Sequence, residues 1–496
     1  MRLSKRTQYH YHQHSKNDYM IIKQYTAKIE NKVVRGIADV IRGTEYENRV
    51  YVVGGFVRDL LMGNEPKDID LLIDGNIEDG MAFAEWFCKK IGTYEEGENP
   101  ILYGLYGTAM FQFMGEKIEC VAPRSEKYKA DSRNPEVSSC SIVDDCYRRD
   151  FTVNSMFINI STNELLDYSV HGLDDLRNGI IRSTSEPDII FEQDPLRLLR
   201  AIRFACRLGF DIEDVTFNGI VKNAERIKII VPERILDELN KIIMCKKPSR
   251  GFYMLLRTGL LDIILPELSQ LNVIERRGRV GHKNVFAHSL EVLDNVAEKS
   301  DNLYLRWAAL LHDVGKLKTK EFNEQKNTWT YVNHEVVGAK MIPSIFKRLM
   351  LPLDARMEYV RKMVRCHMRP INLVSYGVSD SGVRRLLFDL GNDIDDLMLL
   401  AASDITTKMM WKKDTYRNNY VLLKARMIEI EEKGHIRNFQ PPVDGNEIME
   451  RYHLAPCKMV GLIKERVKNA ILNGDIPNEH DAAVSYIEEQ FTELVK

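Results

Sequence analysis

The stretch VVGGFVRDLLMGNEPKDIDLLI, residues 52–73, decides how the chain is read. An apolar run, VYVV, ends at Gly54 and Gly55, and Phe56, Val57, Arg58 and Asp59 open a helix behind it. Two glycines let backbone approach a ligand with no Cβ in the way. The helix N-terminus offers free N–H groups to a phosphate. Asp68 and Asp70 then stand two apart in a strand-like run, so both project from one face, ahead of the apolar Leu71, Leu72 and Ile73. Adjacent carboxylates with no counter-charge are costly unless a metal neutralises them. A pair of Mg²⁺ ions held this way can clamp the attacking and leaving oxygens of a phosphoryl transfer. On spacing alone, a turn capped by Asp68 with Asp70 solvated is an equal reading.

The pattern around this block predicts an α+β chain. RVYVVGG, DIDLLIDG, TAMFQFMG and EKIECVA have the β-branched and aromatic content of strands bounded by turn residues. MAFAEWFCKKIG has helical spacing and a stop at Gly92. Beyond about residue 185 the period becomes helical and stays so, as in DPLRLLRAIRFACRLG, HSLEVLDNVAEK, LRWAALLHDVGKL and MEYVRKMVRCHM. A head built on a small mixed sheet with helices is therefore followed by a long all-α remainder, with KEFNEQKNTW as its clearest surface loop. No internal repeat is visible.

Bulk properties bound the rest. A chain of 496 residues suggests about three domains. A net charge of −2 gives no global basic field, so any nucleic-acid contact rests on local Lys and Arg clusters. The eight cysteines are scattered without a C-x-x-C pair, which fits a reducing compartment and a cytoplasmic location. No apolar run reaches membrane length. The N-terminus is polar and lacks a signal core, so its His10, His12 and His14 are assigned to a weakly ordered leader.

Two further blocks carry chemistry. In DDCYRRDFTVNSM, Arg148 and Arg149 beside Asp150 and Asn154 can grip a triphosphate through forked guanidinium contacts, or form a plain charge cluster at a helix start. In FEQDPLRLLRAIRFACRLGF, Asp194 caps a helix whose first position is Pro195. Arg197, Arg200, Arg203 and Arg207 follow at spacings that draw one basic stripe. Either this is a solvated face, or Asp194 and Arg197 address a base edge while the later arginines meet phosphates.

Together these blocks resemble the class II tRNA nucleotidyltransferase and bacterial poly(A) polymerase family. The GG-x-VRD and D-x-D pattern is matched at Gly54, Gly55, Val57, Arg58, Asp59, Asp68 and Asp70, and a third acidic residue at Glu119 in EKIECVAPR. RRDFT-x-N is complete from Arg148 to Asn154. DYSVHGLDDL supplies Asp167, Gly172, Asp175 and Leu176, and the nucleotide-selecting EDxxR pattern appears as Gln193, Asp194 and Arg197. Glu233 and Arg234 in ERILDEL match the last motif, and the C-terminal region departs at Cys457, where Gly is usual. The resemblance implies that Asp68 and Asp70 hold two Mg²⁺ and that Glu119 helps position a metal or the RNA 3′ hydroxyl. That hydroxyl attacks the α-phosphate of CTP or ATP. Gly54, Gly55, Arg58, Arg148, Arg149, Asp150, Asn154, Asp194, Arg197, Arg200 and Arg203 are the implied nucleotide-binding residues. Asp194 and Arg197 would choose C or A through the exocyclic amine that both bases carry and U lacks. The expected product is CCA on the 3′ end of tRNA. Poly(A) addition, or addition of CC or A alone, is the alternative within the same chemistry. The acidic ending DAAVSYIEEQFTELVK favours CCA over poly(A).

His288, His312-Asp313, His334, His367 and Asp404 form a separate constellation, and LLHDVGK resembles the central motif of the HD phosphohydrolase superfamily. The resemblance implies that His288, His312, Asp313 and Asp404 bind one divalent metal and that His334 and His367 stand where a second is held. Imidazole and carboxylate donors suit Mn²⁺, Fe, Ni²⁺, Co²⁺ or Zn²⁺. The implied activity is a phosphodiesterase or phosphatase on RNA ends, with a structural or vestigial site as the alternative. An HD phosphohydrolase with an RNA-binding head is the reading from a different class. The expected boundaries are a leader at 1–34, a head at 35–165, a helical neck at 166–270, an HD domain at 271–415 and a tRNA-binding tail at 416–496. The expected partners are tRNA, CTP and ATP, with no membrane, and the oligomeric state stays open.

Overall fold

The computed structural model describes residues 23–494, apart from 94–98, 105–106, 128–135, 274–275, 278–279, 282–283, 377–378, 407–408, 435 and 438. The three leader histidines lie outside the described residues. The chain divides into two units: the residues up to Ile242 with Tyr253–Ile263, and Ile243–Phe252 with Ile264 onward.

The first unit is organised by one sheet. Its elements are β1 (Lys23–Thr26), α1 (Lys32–Ile41), β2 (Val50–Val53), α2 (Gly55–Leu61), β3 (Ile69–Ile73), α3 (Asp79–Ile91), β4 (Ile101–Tyr103), β5 (Thr108–Phe113) and β6 (Glu116–Val121). A separate two-stranded pair, β7 (Arg124–Lys127) and β8 (Glu136–Ser139), precedes α4 (Ile142–Arg148), β9 (Phe157–Asn159) and β10 (Glu164–Asp167). The sheet order is β1-β10-β9-β2-β3-β6-β5-β4, with β3 and β6 parallel and the other neighbours antiparallel. The four strands expected from sequence are β2, β3, β5 and β6. β1 belongs to the same sheet, so the head starts inside the span assigned to the leader. α3 ends where expected, because Gly92 takes φ +85°, a left-handed cap open to glycine.

The helical part of this unit contains α5 (Gly172–Asn178), α6 (Pro187–Gln193), α7 (Leu196–Leu208), α8 (Asp214–Asn223) and α9 (Pro232–Ile243). Pro195 is the cap of α7 rather than its first residue. Asp194 still serves the start, since its Oδ1 accepts from the Leu196 amide at 3.1 Å.

The second unit is helical, as its periodicity predicts. Val285–Ala297, Leu303–Leu311, His334–Leu349, Ala355–Cys366 and Ile394–Asp404 are the helices around its centre. Trp307, Phe286, Leu293, Phe346 and Val364 are completely buried among them. One expectation fails. The polar KEFNEQKNTW segment is a β-hairpin, Glu321–Asn323 paired with Thr328–Thr330. Its aromatic cross-strand pair, Phe322 opposite Trp329, gives it strand character that a count of polar residues hides. Among the described residues, no helix is long and apolar enough to cross a membrane.

Candidate functional site

β3 and β6 run parallel with Asp70 directly opposite Glu119. Ile69, Leu71, Ile118 and Cys120 point into the core, so the alternation of a strand turns Asp70 and Glu119 to the other face together. Asp68 lies one residue ahead of β3, two from Asp70, and is exposed. Gly54 makes the turn out of β2 at φ +67°, ψ −132°, a conformation that L-residues rarely adopt. A Cβ placed there would lie 3.6 Å from Asp70 Oδ2 and 3.9 Å from Arg149 Nη1. The glycine turn therefore sits against the Asp70 carboxylate and one arginine of the RRD block.

Burial pushes the Asp70 carboxyl up to about 6; Glu119 adds to the shift, Arg149 opposes it, and Asp68 adds again. An array of hard carboxylate oxygens that repel one another in this way fits a divalent cation such as Mg²⁺.

The RRD arginines are anchored from behind by a residue that the motif reading passed over. Asp145 is 0% exposed. Its Oδ1 accepts from Arg148 Nε at 3.0 Å, and its Oδ2 accepts from Arg149 Nε at 2.8 Å. One oxygen serves each guanidinium. The signal was present in DDCYRRD, because Asp145 precedes the arginines by three and four residues on α4.

A second network ties the head to α7. Arg58, 3% exposed, donates to Asn154 Oδ1 at 2.7 Å and to Asp59 at 2.8 Å. Asn154 donates to Asp150 Oδ1 at 3.2 Å, and Arg200 grips Asp150 Oδ2 through Nε at 2.9 Å and Nη2 at 2.6 Å. The Phe204 ring lies beneath Arg58, Arg200 and Arg203 at 5.3, 5.4 and 4.0 Å from its centroid. Arg197 donates to Arg148 O at 2.7 Å and to Gln193 Oε1 at 3.1 Å, so the glutamine at the head of the selecting motif orients this arginine. Asp194 Oδ2 lies 3.6 Å from Arg234.

These contacts correct the expected basic stripe. Arg197 and Arg203 are each 7% exposed, and Arg203 is paired with the buried Glu238 of α9. A charged group this deep is held by its partner and is not displayed to a phosphate. Arg207 alone of the row is exposed.

The DYSVHGLDDL block is scaffold for the RRDFT turn. Asp167 Oδ2 accepts from the Leu173 amide, and Asp175 Oδ2 accepts from Thr152 Oγ1 at 2.7 Å. A Cβ on Gly172 would lie 2.9 Å from Thr152 O, so only glycine fits.

The second unit brings all six HD residues together. His288 Nε2 is 2.8 Å from Asp404 Oδ1 and 3.6 Å from Asp313 Oδ2. His312 Nε2 is 3.4 Å from Asp313 Oδ2 and 3.6 Å from Asp404 Oδ1. His334 Nε2 is 3.2 Å from Asp313 Oδ1 and 3.3 Å from His367 Nε2. The Nδ1 atoms of His312, His334 and His367 bond the carbonyls of Ala309, Tyr331 and Val364 at 2.8, 2.9 and 2.7 Å. A carbonyl only accepts, so each Nδ1 carries a proton and each Nε2 faces inward as the atom left for a metal. His288 Nδ1 meets Thr406 Oγ1 at 3.0 Å. His312 Nε2 is buried with no hydrogen-bond partner, and two three-residue donor groups, His288-His312-Asp404 and His312-Asp313-His367, converge. This donor set fits a divalent transition metal. Electrostatics agree. Burial opposes charge on His312, yet Asp313 and Asp404 push it up to about 10; burial and the neighbouring His312 push His367 down to about 3.

Comparison with known proteins follows the same division. Residues 50–182 match the family described as "Poly A polymerase head domain", residues 209–271 "Probable RNA and SrmB- binding site of polymerase A", and residues 285–404 "HD domain". An A-adding tRNA nucleotidyltransferase of Deinococcus radiodurans is 30% identical over 350 residues, 69% of this chain and 78% of that protein. A CCA-adding enzyme of Ligilactobacillus salivarius is 24% identical over 94% of this chain and 98% of its own. The crystal structure of the Bacillus stearothermophilus CCA-adding enzyme in complex with CTP shares the fold with a TM-score of 0.61 at 20% identity, covering 93% of this chain and 98% of that one.

Proposed function

Because the chain belongs to the tRNA nucleotidyltransferase and poly(A) polymerase family, we propose that it adds CCA, without a template, to the 3′ end of tRNA from CTP and ATP. The observation that carries this reading is the carboxylate array of Asp70 and Glu119, set against the Gly54 turn and the Asp145-anchored Arg149. Domains of both kinds found here use divalent metals. Asp68 and Asp70 would hold two Mg²⁺ ions, which lower the charge on the attacking and leaving oxygens when bound.

The chain's own residues do the rest. Arg149, and Arg148 beside it, meet the triphosphate with guanidiniums that Asp145 has already oriented, so little freedom is lost on binding. Gly54 lets the backbone come close to the phosphates. The RNA 3′ hydroxyl releases its proton to solvent as its oxygen bonds to the α-phosphorus, and pyrophosphate leaves with the electron pair of the bond that breaks. Asp194 accepts from the exocyclic amine of C or A, while Arg197 donates to a ring or carbonyl acceptor. Gln193 keeps Arg197 in register for that task. Arg58, Asp150, Asn154 and Arg200 hold the nucleotide site's walls together. In the second unit, His288, His312, Asp313 and Asp404 would hold a divalent metal such as Mn²⁺, Ni²⁺, Co²⁺ or Fe, with His334 and His367 toward a second. There they would hydrolyse phosphoester ends of RNA.

Purified protein given tRNA lacking its CCA end, with each nucleotide singly and then together, tests the reading. Addition of C, C and A followed by arrest is expected; unlimited A addition overturns it. The Deinococcus relative supports a second reading, addition of A alone to tRNA already ending in CC. ATP would then extend only that substrate.

A further inference from the structure

The hairpin between the HD motif and His334 combines aromatic rings with lysines, the residue types on which bases stack and phosphates are met. Its register sets Phe322 opposite Trp329 and Glu321 opposite Thr330. By the two-residue period of strands, Lys320, Phe322, Trp329 and Tyr331 share one face. Phe322 and Trp329 meet at 5.1 Å, edge to face at 77°. Lys320 Nζ stands 4.7 Å over the Trp329 ring, and Lys316 Nζ stands 5.5 Å over Tyr331. All three aromatics are only half-buried, and Trp329 Nε1 is a buried donor with no hydrogen-bond partner.

The chain on either side of the hairpin is tied to the HD cluster. On one side, Lys316 Nζ lies 2.6 Å from Asp313 Oδ2. On the other, Tyr331 O accepts from His334 Nδ1 at 2.9 Å. Half-exposed rings interleaved with lysines are how proteins take single-stranded nucleic acid, the rings stacking on bases and the cations meeting phosphates. We propose that this hairpin is the nucleoside-binding element of the HD centre. It receives the terminal base of a phosphoester-ended RNA on Trp329 and leaves the phosphoester at the histidine cluster. The inference rests on the reading of that centre as a phosphoesterase on RNA ends and adds to it the residues that take the terminal base.

Two measurements on the full-length protein loaded with Mn²⁺, Co²⁺ or Ni²⁺ test it. AMP should change the tryptophan fluorescence at concentrations where ribose 5-phosphate does not. Trp329→Phe should abolish that change, which separates it from Trp86, Trp307 and Trp411. Trp329→Ala should then raise KM for 2′,3′-cyclic AMP about tenfold, leave hydrolysis of bis(p-nitrophenyl) phosphate unchanged, and leave nucleotide addition to tRNA unchanged. Trp329→Phe, which keeps a stacking ring, should restore most of the lost affinity. An AMP response equal to that of ribose 5-phosphate, or equal losses on both phosphodiesters, overturns the proposal. If the wild-type protein hydrolyses neither substrate, the phosphoesterase reading fails, and the fluorescence titration alone decides the hairpin.

Discussion

Asp70 pays a folding penalty for its position. Its carboxyl is raised from an ordinary value of 3.8 to about 6 by burial first and Glu119 second. Between those two values the native state holds a proton that the unfolded chain has lost, so metal-free stability falls as pH rises through this window. Asp70→Asn should therefore stabilise the metal-free protein by about 3 kcal/mol above pH 7 and by almost nothing below pH 4. Chemical denaturation at the two pH values reads the difference. An equal effect at both would mean that the shift is not electrostatic. The same residue shows what sequence can reveal. The D-x-D spacing predicts two carboxylates on one face, but the opposing Glu119 depends on β6 pairing in parallel with β3 across 49 residues, a partnership that no local pattern announces.

At the scale of elements, α7 carries the clearest lesson. Its helical spacing and its start near Asp194 are legible in the sequence. The burial of its arginines is not, because the acid that neutralises Arg203 lies on α9, 35 residues on. Periodicity assigns a row of charges to the surface unless the partner is known. A buried pair of this kind is expensive to break from one side. Arg203→Met should destabilise the protein by about 3 kcal/mol, and Arg203→Met combined with Glu238→Met should recover most of that loss. Urea unfolding of both single variants and the double variant closes the cycle; additive losses would deny the coupling. The hairpin at Glu321–Thr330 was illegible for a related reason. Three-residue strands are too short for alternation to register, and polar neighbours mask the Phe322–Trp329 pair.

For the whole molecule, the sequence declared two chemistries, and the structure assigns them to separate units with separate donor sets. Their activities should part cleanly. Asp68→Ala with Asp70→Ala should abolish nucleotide addition while HD phosphoester hydrolysis continues, and His312→Ala should do the reverse. Parallel assays of the same preparations check this, with loss of both activities in either variant as the contrary result. Dialysis against a chelator should silence both centres, and readdition of Mg²⁺ alone should revive only addition.

The three HD histidines with carbonyl partners share one device. Each leans its Nδ1 on the carbonyl three residues earlier in its own segment. The tautomer that readies Nε2 is thus set by local backbone, which no side-chain substitution nearby removes. A centre wired this way tolerates drift. Side chains around it can change while three imidazoles keep the pose that a metal requires; His288, held through the Thr406 hydroxyl, is the one that a neighbouring substitution can release.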